Sequence, residues 1–299
     1  MSVGVDGESE DVLLGTAKPS IFVCSDQWVI TAENALRRST ARVEYVHPLG
    51  ISTPLGEVFV CRVIDEGTIM LAGLRHRREL VEARRALENL SPRPIWIDGA
   101  YGRIVGAHPD VADAVVVATG MIAASDLKEV VEKTESLVSR FGIFAEKSGE
   151  HRALIDRAVA EDRVLAFDAE RDVVEPPIES AVAGLRRIGD WWRPTVEAVA
   201  IPGLVSDGVA EALLSVGKGA VLLVSDATAI HVDDGLWHRL EQRWQVRVRS
   251  AVSLAGISFN PTSPVGATVD SEALASALRE INPDTPVFDP LQLLAEAAF

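Results

Sequence analysis

The 299-residue chain reads as an α/β protein, and three features of its sequence predict that class. Short β-rich apolar runs alternate with longer segments of helical periodicity, the signature of βαβ units around a mostly parallel sheet. Several of those runs end in an acid, a glycine or a hydroxyl residue, where an open parallel sheet receives its ligands. In Pro94-Ile95-Trp96-Ile97-Asp98-Gly99-Ala100 the two patterns coincide: the run reads as a strand buried on both faces that ends in the carboxylate of Asp98.

Taken in order, residues 1–18 are acidic and glycine-bearing, with no periodicity. Residues 20–23 are expected as a strand, followed by a helix over 32–38 capped by Thr31. The runs 58–63 and 68–72, separated by Ile64-Asp65-Glu66-Gly67, predict a hairpin with a glycine turn, one antiparallel excursion in the sheet. Over 75–90, Leu80, Ala83, Leu87 and Leu90 recur at helical spacing, and the opposite face, crowded with arginine and glutamate, is expected to be solvated. Residues 95–97 and 114–118 are the next expected strands; Ser125 then caps a helix whose Leu127, Val130, Val131, Leu137 and Val138 face inward.

Gly142, Lys147, Ser148 and Gly149 interrupt the pattern, which sets the expected domain boundary near residue 145. Residues 1–145 then form an incomplete P-loop-like α/β domain, and residues 146–299 a second α/β domain. In the second, strands are expected at 164–167, 196–201, 221–224 and 252–259, with helices near 178–187, 206–216, 234–243 and 270–280. No fixed-period repeat is present, which argues against a solenoid.

Composition excludes several functions. With 47% hydrophobic residues the chain can bury a sizeable core, so it is folded rather than disordered. A formal net charge of −15, acidic in both halves, leaves no basic face for a phosphate backbone, and nucleic acid is not an expected partner. No stretch approaches the roughly 20 apolar residues that cross a bilayer, and no basic-then-apolar leader opens the sequence. No membrane association is expected, and the expected address is the cytoplasm. Cys24 and Cys61 lie in apolar runs without metal-ligand spacing and read as buried thiols. The six histidines are scattered without an H-E-x-x-H or a paired Cys and His, which argues against a zinc-dependent hydrolase, and no G-x-S-x-G elbow occurs. The Trp191-Trp192 pair is expected to pack between the halves.

The chemistry-bearing positions gather where strands end: Asp98-Gly99, Thr119-Gly120, Pro202-Gly203, Asp226-Ala227-Thr228 and Asn260-Pro261-Thr262-Ser263. Glycine lets a backbone approach a ligand, and hydroxyls cap helices or bond phosphates; the same residues also make ordinary turns. Two prolines restrict the loop that carries Asn260, Thr262 and Ser263, which suits recognition as well as a tight connection. A phosphate-cradling G-x-x-x-x-G-K-[ST] is missing from the sequence. Gly217-Lys218-Gly219 comes nearest, with Ala212 in the place of the leading glycine and no hydroxyl after the lysine.

Gly4-Val5-Asp6-Gly7-Glu8, Gly15-Thr16-Ala17-Lys18-Pro19 and Thr31-Ala32-Glu33-Asn34 are followed by Gly50-Ile51-Ser52-Thr53-Pro54-Leu55-Gly56-Glu57, Ile97-Asp98-Gly99-Ala100 and Ala118-Thr119-Gly120. Phe259-Asn260-Pro261-Thr262-Ser263-Pro264-Val265-Gly266 completes the series. In this order the segments resemble the accessory, reactivating-factor subunit associated with lysine 5,6-aminomutase and related adenosylcobalamin-dependent aminomutases, over about residues 4–290. The resemblance implies a protein that acts on a partner aminomutase, with a second reactivating subunit, to release damaged cobalamin in a process linked to ATP and magnesium. Cobalamin would be met only through that enzyme. It further implies a Walker-B-like place for Asp98, as a ligand to magnesium, and a place near the following strand for Asp6. Asp6, Asp98, Gly99, Thr119, Gly120, Asn260, Thr262 and Ser263 are thus the candidate cofactor-contacting residues. Family members carry a phosphate loop upstream of the segment matching residues 3–8. The expectation is therefore either a shortened chain or a lineage that has lost nucleotide hydrolysis.

Three function classes follow: the reactivating accessory factor, a stand-alone nucleotide-dependent enzyme of the P-loop synthetase or kinase type, and a structural partner with a vestigial site. Nucleotide binding by the purified chain separates the second from the third, and association with a cobalamin-dependent mutase singles out the first.

Overall fold

The computed structural model of the chain describes residues 1–6, 20–90, 94–99, 104–122, 124, 126–170, 173–174, 188–217, 219–263, 266 and 268–297. The chain divides into two compact units, Met1–Ala112 and Asp113–Phe299, each mixing helices with strands. Among the described residues, every paired strand of the first unit is antiparallel, whereas the second carries parallel and mixed sheets.

In the first unit, strands β1 (Val5–Asp6), β2 (Ile21–Val23), β3 (Trp28–Ala32), β4 (Arg42–Thr53), β5 (Gly56–Asp65), β6 (Gly67–Ile69) and β7 (Leu71–Ala72) precede helix α1 (Arg77–Glu88). β5 is central to a three-stranded sheet between β3 and β4, while β1 pairs with β7 and β2 with β6. The β4–β5 hairpin closes at Thr53-Pro54-Leu55-Gly56. There Thr53 Oγ1 donates to Gly56 O at 2.9 Å and accepts from Leu55 N at 3.0 Å, and Gly56 takes a φ of 93° that favours glycine. Val58 and Val60 on one face of β5 join a core with Leu49, Ile51, Leu74 and Leu80; Cys61 and Val63 join another with Val23, Val29 and Ile69.

Three expectations for this unit change. The hairpin expected from 58–63 and 68–72 does not form, because β5 is already paired on both sides and the segment after it pairs with β2. Gly67 serves close approach instead of a turn: a Cβ there would lie 2.6 Å from Ala41 N. Thr31 does not cap a helix; its buried Oγ1 donates to Met70 O at 2.9 Å and accepts from Ala72 N at 3.0 Å, and a 3-10 helix over Glu33–Arg38 follows. Residues 95–97 are not a strand, since only an isolated bridge joins Ser2 to Asp98, and Trp96 is 80% exposed. α1 buries Leu80, Ala83 and Leu87 as expected, while Leu90 lies past its end.

The second unit runs β8 (Val115–Gly120), α2 (Leu127–Phe141), α3 (Gly149–Glu161), β9 (Leu165–Asp168), β10 (Val173–Val174), α4 (Ile188–Trp191), β11 (Val196–Ile201), β12 (Val205–Ser206) and α5 (Asp207–Ser215). It continues with β13 (Val221–Val224), β14 (Ile230–His231), α6 (Asp234–Arg243), β15 (Gln245–Val248), β16 (Leu254–Asn260), α7 (Ser271–Ile281), β17 (Val287–Phe288) and α8 (Pro290–Ala297). A five-stranded sheet of order β10-β9-β11-β13-β15 has β11, β13 and β15 parallel and β9 antiparallel to β11. Its central strand β13 is apolar throughout because both faces are covered, while Glu197 of β11 and Gln245 of β15 stand exposed near the strand starts. Val199, Ile201, Leu222 and Val224 pack under Val209, Leu213, Trp237 and Leu240 of α5 and α6, and Ala198, Ala200 and Leu223 pack against Leu154, Ile155 and Ala158 of α3.

A second, fully parallel sheet of order β17-β16-β8 takes one strand from before the five-stranded sheet and two from after it. β8 and α2, which precede the expected boundary near residue 145, therefore belong to the second unit. α2 is capped by Asp126, whose side chain accepts from Glu129 N at 2.9 Å; the expected cap Ser125, and the helix expected near 178–187, lie outside the described residues. No helix among the described residues is long and apolar enough to cross a membrane.

Candidate functional site

The carboxyl end of the β8–β16 pair brings together five of the residues selected from the sequence. Thr119 is in register with Phe259 and Gly120 with Asn260, and Met121 N donates to Asn260 O at 3.1 Å. Gly120 has a φ of 144°, and a Cβ on it would stand 2.2 Å from Asn260 O, so only glycine permits this approach. Beyond Asn260 the chain folds back on itself. Asn260 Oδ1 accepts from Thr262 N at 2.9 Å, Thr262 bridges to Thr268, and Val269 N donates to Pro261 O at 3.0 Å. The returning chain enters α7, capped by Asp270 through Ala273 N at 2.7 Å.

The five residues are not equivalent. Thr119 turns toward α2, with Oγ1 2.7 Å from Thr134 Oγ1; Thr134 itself donates to Val130 O at 2.7 Å, so the Thr119 hydroxyl donates to Thr134. Ser263 is buried, and its carbonyl accepts from Gly266 N at 2.9 Å. Asn260 and Thr262 are the two exposed residues of the five. Pro264 and Val265 of the same motif lie outside the described residues.

Asp6, Asp98 and Gly99 belong to the first unit. Asp6 sits on β1 opposite Leu71. Asp98 is exposed, and its backbone joins the first residues: Val3 N donates to Asp98 O and Asp98 N to Met1 O, each at 2.9 Å. The Met1 amino group donates to Trp96 O at 3.0 Å; burial pushes its pKa down to about 6, against the opposing pull of the Asp98 charge. Among the described residues no group of three or more His, Cys, Asp or Glu is placed to hold a metal ion.

Sequence reasoning missed a polar pair in the segment read as a domain boundary. Glu146 Oε1 accepts from Lys147 N at 2.7 Å and Ser148 N at 2.8 Å, and Oε2 lies 3.2 Å from His151 Nδ1. Burial works to raise the Glu146 pKa, but the Ser148 amide, the His151 side chain, the Lys147 amide and the His151 charge together hold it below the ordinary value. The available signal was Ser148, three residues ahead of His151 and a natural start for α3. Two other readings change. Cys24 is exposed while Cys61 is buried, because the run before Cys24 faces a core through Ile21 and Val23 and leaves Phe22 and Cys24 on the solvent side. Trp192 packs within the second unit, edge-on to Trp244 with centroids 5.4 Å apart, and Trp191 adjoins it at 6.0 Å. Compared with protein-family models, curated proteins and solved structures, the chain matches none.

Proposed function

We propose that the chain is an accessory protein that helps reactivate an adenosylcobalamin-dependent aminomutase of the lysine 5,6-aminomutase type. It would do conformational work on that enzyme, together with a second reactivating subunit, so that damaged cobalamin leaves and intact cofactor enters. The observation that carries this reading is the register of Gly120 with Asn260. Two of the runs behind the family resemblance, distant in sequence, meet at one sheet edge through a glycine that admits no side chain. An edge assembled in this way, with Asn260 and Thr262 facing outward, is a rigid surface that a protein partner can read.

The process is linked to ATP and magnesium, but among the described residues those selected by the resemblance do not form a nucleotide site. Asp98, the one carboxylate the resemblance offers to magnesium, is exposed and follows no sheet strand. The amide cradle and lysine that neutralise β- and γ-phosphates are missing from the sequence. No nucleotide step is therefore assigned to this chain, and a P-loop-like first domain enters the proposal through the resemblance alone. The test inactivates the cognate mutase during turnover, then adds this chain with the companion subunit, ATP, magnesium and fresh adenosylcobalamin. Activity should return only when the chain is present; equal recovery without it rejects the proposal.

A further inference from the structure

The second unit holds an open cavity of about 780 Å³ at the amino ends of β11, β13 and β15, a size typical of small-molecule sites. Its apolar lining includes Trp192, Pro194 and Val196. Gly217 on its wall keeps the aromatic side closed up: a Cβ there would come within 2.5 Å of Trp244 and 3.0 Å of Trp192. The polar lining among the described residues comes from His151, Glu197, Ser215 and Gln245. Glu146 fixes the His151 ring through Nδ1, and its own carboxylate is held by two backbone amides, so Nε2 is the ring nitrogen left to a ligand. A ring oriented in advance loses little entropy on binding.

We propose that this cavity binds a neutral carbohydrate, a mono- or disaccharide. A sugar ring has an apolar C–H face that packs on an aromatic wall, and each of its hydroxyls both donates and accepts. Trp192 supplies that wall, and carboxylate, amide, imidazole and hydroxyl groups are bonding partners that require no charge on the ligand. An anionic ligand would instead meet the Glu197 carboxylate, with Glu146 behind His151. An open mouth lets the remaining hydroxyls stay in water. The inference uses none of the residues behind the reactivation reading, so either can fail alone.

The test is saturation-transfer NMR and calorimetric titration of the full chain with glucose, galactose, mannose, N-acetylglucosamine and maltose, beside glucose 6-phosphate and glucosamine as charged comparators. At least one neutral sugar should bind saturably, with transfer to its ring C–H protons. Trp192→Ala should weaken that binding about tenfold or more, and the exposed Glu197→Gln, with an unchanged circular dichroism spectrum, severalfold. If Trp192→Ala fails to fold, Glu197→Gln and His151→Gln carry the test. No saturable neutral sugar, binding confined to a charged comparator, or neutral-sugar affinity unmoved by these substitutions overturns the proposal.

Discussion

A Cβ on Gly120 would lie 2.2 Å from the carbonyl oxygen of Asn260 and 2.9 Å from its amide nitrogen, so these two strand ends are as close as two backbones can pack. Neither contact is with a flexible side-chain tip that could move away. Gly120→Ala should therefore cost more than about 3 kcal/mol in urea unfolding, combining the clash with strain at positive φ. Gly203→Ala in the same unit, where a Cβ meets nothing within 4 Å, should change stability by less than about 0.5 kcal/mol. Equal effects would mean that the β8 and β16 ends separate easily and form no rigid edge.

Asn260 and Thr262 should separate stability from recognition. Asn260→Ala removes the acceptor for Thr262 N and should cost about 1 kcal/mol, while Asn260→Asp keeps an acceptor and most of the stability. Thr262→Ala trims an exposed hydroxyl and should leave the melting temperature nearly unchanged. If the edge reads a partner, Thr262→Ala nevertheless lowers the recovery of inactivated aminomutase; full recovery with that variant takes its hydroxyl out of the interface.

What the sequence could announce depended on how locally each fact is written. β13 is legible because burial on both faces makes it an unbroken apolar run, β11 because it is apolar but for Glu197, and α2 because its inward positions recur at helical spacing. The run at 95–97 is equally apolar, yet Trp96 is 80% exposed, because three apolar residues do not state what covers them. β4 escapes notice since register shifts at Tyr45/His47 and Pro48/Ser52 break its alternation. At the candidate site, Thr119-Gly120 and Asn260 each look like turn residues; their meeting is a long-range pairing that no short motif encodes. Glu146 and His151 were hidden because the glycines, lysine and serine around them interrupt the periodic pattern and read as a domain boundary.

Glu146 should make stability depend on pH. Its folded pKa lies below the ordinary 4.5, so its contribution is fully present above that value and is lost as pH falls through the folded pKa. Glu146→Gln keeps an acceptor but loses the charge, and should cost about 1 kcal/mol at pH 7. The gap between variant and wild type should narrow in urea titrations below pH 4.5. A gap that stays constant down to acid pH would show that the hydrogen bonds to Lys147, Ser148 and His151 do not draw on the charge.

Ser139 joins α2 to α6: its Oγ accepts from Trp237 Nε1 at 2.7 Å and donates to Ser136 O at 3.1 Å. Trp237 is 2% exposed, so Ser139→Ala leaves a buried indole N–H without its acceptor, at a cost of about 1–3 kcal/mol. Trp237→Phe removes the donor as well, and the double variant should be less destabilised than the sum of the singles. Strict additivity in that cycle would mean that water replaces Ser139.

The two cysteines give a probe of how β5 opens. Cys24 is exposed on a short segment after β2, whereas Cys61 is fully buried in the middle of β5, and burial pushes its thiol up to about 12. The thiolate is the reactive species, so Cys61 is protected twice, by access and by ionisation. With iodoacetamide at pH 8, Cys24 should be modified quickly, and Cys61 only when the strand leaves its neighbours. β5 is paired on both sides, with Cys61 opposite Val29 on β3 and Tyr45 on β4, so exposing the sulfur requires both ladders to break. Labelling of Cys61, read by peptide mass spectrometry, should therefore track unfolding of the first unit and accelerate with urea in parallel with its loss of circular dichroism. Rapid, urea-independent modification of Cys61 would show instead that β5 opens locally and that the three-stranded sheet is the least stable part of the unit.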